Sequence, residues 1–482
     1  MNTKSVYFLK LIFVLLSILL ISSGSLKGQN LTFVRHPIDL TFDGIHRVIA
    51  IDLDGDSDLD IIGGSETTPT TASKGLAWWR NEGNNNWTRF TIDASYIHVM
   101  CIDTADINND SYVDVIASSW QLHQIVWLKN SGDPTQGWTR YTIKSNFINA
   151  HDAKCGDFDD DGDPDIVGVN NSGSVVVFEN NGSLSNWPST VVSSSFGGAL
   201  SAFTVDLDKD DDIDIVATAS NDNQIAWWKN NGGSPSTWPK NVIASNFVGA
   251  SGIDVIDMNK DNQDDIISNA WKSNQVAYWI CDSIQINTWS KYTVSNQLDT
   301  SAAIRGSDMD NDGDIDIVAV GKIPGELVVY QNSDSVWNTI QLQDNFYGGA
   351  DLAIADLDKD GDQDIIACAS YLGLLYWWEN TTINIIKEND IINVFDNFIL
   401  EQNYPNPFNP LTKINYQIPK SGFVSIKVYD VLGKIVDVLV NEKKLAGNHE
   451  INFNGAQLTS GIYYYRIQIG GYSETKKMLL IE

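Results

Sequence analysis

The feature that most constrains this chain is a nine-residue acidic frame, Asp52-Leu53-Asp54-Gly55-Asp56-Ser57-Asp58-Leu59-Asp60, present in seven copies. Later copies start at Asp106, Asp157, Asp206, Asp257, Asp308 and Asp356, at intervals of 54, 51, 49, 51, 51 and 48 residues. So regular a period means one supersecondary unit stacked repeatedly on itself, each copy burying the apolar face of the next. Within the frame, oxygens at alternate positions of a tight turn can converge on one point. Calcium takes about six to eight oxygen ligands at about 2.3–2.6 Å, so each copy reads as a calcium loop.

The expected ligands are positions 1, 3, 5 and 9 of each copy. They are Asp52, Asp54, Asp56 and Asp60, then Asp106, Asn108, Asp110 and Asp114, then Asp157, Asp159, Asp161 and Asp165. The fourth and fifth sets are Asp206, Asp208, Asp210, Asp214 and Asp257, Asn259, Asp261, Asp265. The last two are Asp308, Asp310, Asp312, Asp316 and Asp356, Asp358, Asp360, Asp364. Asn108 and Asn259 each remove one charge, so the second and fifth loops should bind more weakly. An EF-hand would need a Glu at position 12 between helices; the first copy has Gly63 there, between strand-like segments.

The formal charge of −31 is explained by these loops, which hold 34 of the 62 acidic residues. Seven divalent ions would cancel about 14 of those charges. The acidity therefore argues for metal and, with no basic patch to offset it, against nucleic acid. The four cysteines occupy unrelated repeat positions without framework spacing, and read as small buried hydrophobes. Lys4 and Lys10, an apolar run over 11–21 and small polar residues up to 28 have the layout of a signal peptide, expected over 1–28. No other run is long and apolar enough to span a membrane, so no transmembrane segment is expected after its removal.

Each unit contains four strand-like segments, in the first 46–52, 59–64, 75–80 and 87–93, rich in β-branched and aromatic residues between Gly, Asn and Ser turns. The third segment carries a signature, Trp78-Trp79-Arg80-Asn81, echoed at Trp127, Trp227-Trp228, Trp279 and Trp377-Trp378. A single Trp opens the fourth in six units. Four-stranded units with a repeated aromatic layer predict an all-β fold, a seven-bladed propeller. The seventh unit lacks its fourth segment, and residues 31–38 match that segment of the first unit. This N-terminal strand is expected to complete the last blade and remove the open edge.

The aspartate loops resemble those of FG-GAP or VCBS repeats, the calcium-loop propellers related to the integrin α-subunit head, over about residues 30–380. In such loops position 7 serves through its main-chain carbonyl, which accommodates Tyr112 and Gln263. A linker is expected over 381–396. The segment 397–482 then opens on Pro405-Asn406-Pro407-Phe408-Asn409-Pro410 and continues in short alternating strands, as a small Ig-like β-sandwich would. With its Val428-Tyr429-Asp430-Val431-Leu432-Gly433, its Leu458-Thr459-Ser460-Gly461-Ile462-Tyr463 and its Lys476-Lys477-Met478 end, it resembles the C-terminal sorting domain of the type IX secretion system. That resemblance implies the type IX machinery as a partner and a secreted or cell-surface destination.

The face opposite the calcium loops is the expected ligand face, by analogy with related propellers. Of 16 tryptophans, 14 occupy the two repeated packing positions; Trp120 and Trp271 do not, and Tyr371 stands nearly equivalent to them. With His123 they are the candidate ligand-binding residues, since flat rings with polar edges suit a glycan or protein ligand. A non-enzymatic binding module is the leading expectation. The competing one, a polysaccharide lyase or hydrolase, would draw on His98, His123 or His151 as base together with a cation to neutralise a uronate. Lys and Arg are scarce in the loops of that face, which favours binding. Charged residues in the inner strands predict three pairs across the central channel: Asp103–Lys154, Asp254–Arg305 and Arg47–Asp351.

Overall fold

The computed structural model describes residues 31–66, 74–232, 237–382, 399–418, 422–444, 447–469 and 472–481. The expected signal peptide and nearly all of the expected linker lie outside these residues. There is no helix among them, so none long and apolar enough to cross a membrane. The chain divides into two compact units, residues 1–383 and 384–482.

The first unit consists of seven four-stranded antiparallel sheets. In the first sheet the strands are Ile45–Ile51, Asp60–Ser65, Leu76–Asn81 and Trp87–Asp93, paired in that order. The second strand of every blade is buried at all six positions, because it is covered by a neighbouring blade on each face. This is why it reads as a continuous apolar run and not as an alternation. The outermost strand, by contrast, is largely open to solvent.

Seven apolar clusters hold the ring, one between each pair of successive blades. The cluster joining last to first contains Val48 and Trp79 from one blade and Ile366, Cys368 and Trp377 from the other. The repeated tryptophans are its largest members, and several indole N–H groups are satisfied between blades. Trp78 of the first blade and Trp138 of the second both donate to the carbonyl of Pro134.

The last blade is completed by Phe33–Asp39, the chain's first described strand, antiparallel to Leu374–Asn380. Phe33 lies opposite Asn380, and His36 both stacks on Trp377 and bonds Glu379 at 2.7 Å. All four cysteines are free.

The second unit is a β-sandwich. Its three-stranded sheet is formed by Ile399–Leu400, Leu411–Ile418 and Gly447–Asn454, and the four-stranded sheet by Ile435–Lys444, Gly422–Tyr429, Gly461–Ile469 and Tyr472–Leu480. Strict alternation of buried and exposed residues along Leu411–Ile418 and Gly461–Ile469 brings both sheets onto one core around Phe408, Tyr416, Ile426, Tyr465 and Met478. The Tyr465 hydroxyl ties down the incoming chain by donating to Glu401 O and accepting from Asn403 N.

Candidate functional site

Each aspartate loop joins the first and second strands of its blade, and position 9 anchors it. Asp60 accepts the amide of Leu53 on one carboxylate oxygen and that of Asn81 on the other. The same pair of bonds recurs at Asp114, Asp165, Asp214, Asp265, Asp316 and Asp364. These carboxylates are almost fully buried. Burial pushes their titration up, to about 7 at Asp60, Asp165, Asp214, Asp265 and Asp364, about 6 at Asp114 and about 8 at Asp316. Neighbouring loop carboxylates add to that rise, and the amide bonds oppose it.

Five loops bring three carboxylates within 4.8 Å of one another: Asp52, Asp54, Asp60; Asp157, Asp159, Asp165; Asp206, Asp208, Asp210; Asp308, Asp310, Asp316; and Asp356, Asp358, Asp360. Buried oxygens without a hydrogen-bond partner face this arrangement on Asp157, Asp208, Asp308 and Asp356. Like charges so close, with lone pairs unspent, fit a cation. These five clusters can each hold a metal ion.

The second and fifth loops form no such cluster. Asn108 turns its amide onto Asp114 at 2.8 Å, and Asn259 onto Asp261 at 3.0 Å, so a donor stands where a third carboxylate would be. The ammonium of Lys129 also enters the second loop, 3.0 Å from Asn108 and 2.7 Å from Asp110. Lys229 does the same in the fourth, bonding Asp208 and Asp210, and so competes with a metal there.

Contacts between successive loops place them on one face. Position 4 of one loop reaches the carboxylate at position 7 or 8 of the next: Asn109 to Asp163, Lys209 to Asp264, Lys260 to Asp314 and Lys359 to Asp58. The last of these joins the seventh blade to the first.

On the opposite face, seven equivalent residues stand 14 positions after each loop start: Glu66, Trp120, Asn171, Ser220, Trp271, Lys322 and Ser370. Each donates its main-chain amide to the turn leading into its own blade's inner strand, as Trp120 does to His98 O and Trp271 to Gly249 O. The ring surrounds the mouth of a central cavity of about 790 Å³, to whose lining it contributes Glu66, Trp271 and Lys322. Glu66 and Lys322 were missed in the sequence; the constant offset of 14 was the signal that could have found them.

Of the four candidate ligand residues, Trp271 lines this cavity, while Tyr371 and Trp120 each touch a residue of its lining. Trp271 and Tyr371 are 41% and 44% exposed. Lys272 lies over the first ring and Lys322 over the second. Trp120 is half-buried, edge-on to the ring of His151 at 6.1 Å. His123 has a different role: its Nδ1 accepts the amide of Asn149 in a turn where Asn223 and Asn274 use their side-chain oxygens in the same way.

His98 sits in the left-handed region at φ 57°, a turn position filled by glycine in four other blades. His46 and His151 line the cavity. Burial, reinforced by Arg47, holds both imidazoles neutral, His151 titrating down at about 4. His46 Nε2 lies 3.5 Å from Glu66, and its Nδ1 has no partner.

None of the three predicted channel pairs closes to within 4.0 Å. Asp103 instead accepts the amide of Cys155, Asp254 that of Gly306 and Asp351 that of Val48. Asp152 likewise accepts that of Ala202. In each case the acceptor and donor lie on successive inner strands. An inner strand is a sheet edge with unpaired N–H groups, and a carboxylate from the preceding blade satisfies one of them. Arg305 then pairs with Asp351 at 3.8 Å, and Lys154 stands 4.0 Å from Asp152 in its own strand.

The FG-GAP-like repeat matches residues 52–117, 106–168, 157–217, 206–268 and 308–367, so that every aspartate loop is covered. The secretion system C-terminal sorting domain matches residues 402–482. No curated protein matches the chain. The chain belongs to the FG-GAP repeat family of β-propellers and carries a C-terminal sorting domain that directs it through type IX secretion to the cell surface or the medium.

Proposed function

We propose that this chain is a calcium-stabilised binding module whose ligand, a glycan, docks at the channel mouth opposite the aspartate loops. The observation that supports the reading is a pair of exposed rings: Trp271, which lines a cavity of about 790 Å³, and Tyr371, which lies under Lys322 of the same lining. That volume suits a small ligand, and ring faces with adjacent amide and hydroxyl groups suit a sugar. Calcium at the carboxylate clusters supports the platform from the far face. A glycan array probed with the full chain, with and without chelator, tests this. Trp271→Ala is expected to abolish binding while the protein stays folded; retained binding places the ligand elsewhere, and a blank array favours a protein ligand.

A lyase is the second reading, favoured by two neutral imidazoles, His46 and His151, beside Arg47 in the same cavity. A new ultraviolet-absorbing double bond in the product would establish it.

A further inference from the structure

The channel wall carries cationic donors that its own acids leave underused. Arg47 gives Nε to Met100 O at 2.5 Å and Nη1 to His46 O at 2.9 Å, both neutral carbonyls. No carboxylate lies within 4.0 Å of it among the described residues. An arginine has five N–H groups, so most of its fork remains available. Arg305 gives one N–H to Ile304 O at 2.7 Å and is no closer than 3.8 Å to Asp351. Lys154 has its 4.0 Å approach to Asp152 as its one ion pair among the described residues. Burial opposes the charge of Lys154, but Asp103 and Asp152 outweigh it and keep the ammonium protonated. The acids near these cations keep their charge, but Asp103, Asp152, Asp254 and Asp351 each also hold a main-chain amide of the following blade, which leaves guanidinium N–H groups of Arg47 and Arg305 without a carboxylate hydrogen bond. Buried His46 lines the same cavity, and its Nδ1 has no hydrogen-bond partner.

We infer that the cavity seats the acidic group of a saccharide, a uronate carboxylate or a sulfate ester, on Arg47 and Arg305, with the sugar ring against Trp271 or Tyr371 at the mouth. The inference rests on the glycan reading above and adds the charge of the sugar. Guanidinium forks match both anions in geometry, and a partly buried setting strengthens the contact. Arg47 and Arg305 stand on the blades flanking the last one, so an anion between them would also face Asp351. Its charge opposes the anion, but one of its oxygens is committed to Val48 N.

The test is titration calorimetry on the full chain with three oligosaccharides of equal length: one bearing uronates, one sulfated and one neutral. The expected result is at least tenfold tighter binding of one acidic ligand than of the neutral one, and the tighter of the two acids identifies the source. Arg47→Gln and Arg305→Gln should erase that preference. Lys322→Gln, in the lining at the mouth and off the inner strands, should reduce it severalfold even if the inner-strand variants fail to fold. Equal binding of acidic and neutral ligands by the unmodified chain overturns the inference and leaves the glycan reading standing. Binding of none of the three overturns both.

Discussion

At the scale of single residues, the position-9 aspartates do two jobs, one structural and one electrostatic. Each closes its loop onto the third strand through two main-chain amides, so Asp316→Asn replaces one acceptor with a donor facing an N–H. The expected cost is about 1–3 kcal/mol, read as a lower denaturant midpoint. Their raised titration gives a pH signature with a definite sign. In chelator, the folded state holds more protons than the unfolded state between about 3.8 and 7 at Asp60, Asp165 and their equivalents. That stability is present at low pH and lost as pH rises through about 7. His46 and His151 act in the opposite sense, since burial holds them neutral and protonation below the ordinary histidine range costs stability. Because the aspartates are more numerous, melting in chelator is expected to fall from pH 5.5 to pH 8, and calcium to raise it most at pH 8. A calcium increment independent of pH would show that these carboxylates are not linked to the metal. The aspartate frame was legible in the spacing alone, and five of its copies cluster their carboxylates; that Lys129 and Lys229 reach into two of the loops was not, because no periodicity records where a flexible side chain ends.

At the scale of elements, strands were readable wherever a blade repeats. In the first blade the expected 46–52, 59–64 and 75–80 became Ile45–Ile51, Asp60–Ser65 and Leu76–Asn81, offset by one residue. The channel lining was not readable to the same degree. Counting positions placed Asp103 near Lys154 and Asp254 near Arg305, where Asp103 is the leading charge acting on Lys154 and Arg305 the leading charge acting on Asp254. It did not reveal that both carboxylates also hold an unpaired amide of the next sheet edge. The closing strand carries a separate prediction. Deleting residues through Asp39 removes the partner of Leu374–Asn380 and bares an edge lined by Trp377 and Trp378. The truncated chain is expected to lose its single cooperative melt and to self-associate, measured by light scattering during thermal unfolding.

At the scale of the whole molecule, metal and charge are one question. A chain with formal charge −31 concentrates its carboxylates on one face of a ring, where five clusters can each hold an ion. A single site saturated at 100 times its dissociation constant adds about 2.7 kcal/mol, so removing calcium is expected to lower the melting temperature of the propeller by many degrees. Neutralising loops one and seven together, with Asp52→Asn and Asp356→Asn, should recover part of that loss in chelator by relieving repulsion while abolishing the response of those sites to calcium. Calorimetry with and without metal separates the two effects. The seven-bladed fold and its aspartate loops were thus visible from repetition, and the export tail from its own short motifs. The makeup of the opposite face was less visible, because the blades place different residues at the equivalent position there.

The pairing of Phe33–Asp39 with Leu374–Asn380 also sets an order of events. His36 and Glu379 are 343 positions apart, so the ring can shut only after nearly all of it has left the ribosome. The sorting domain at 402–482 comes after both of these strands in the chain. The finished toroid and its export address therefore become available almost together, and a molecule cut short before its destination signal would also be one that had scarcely had the chance to lock.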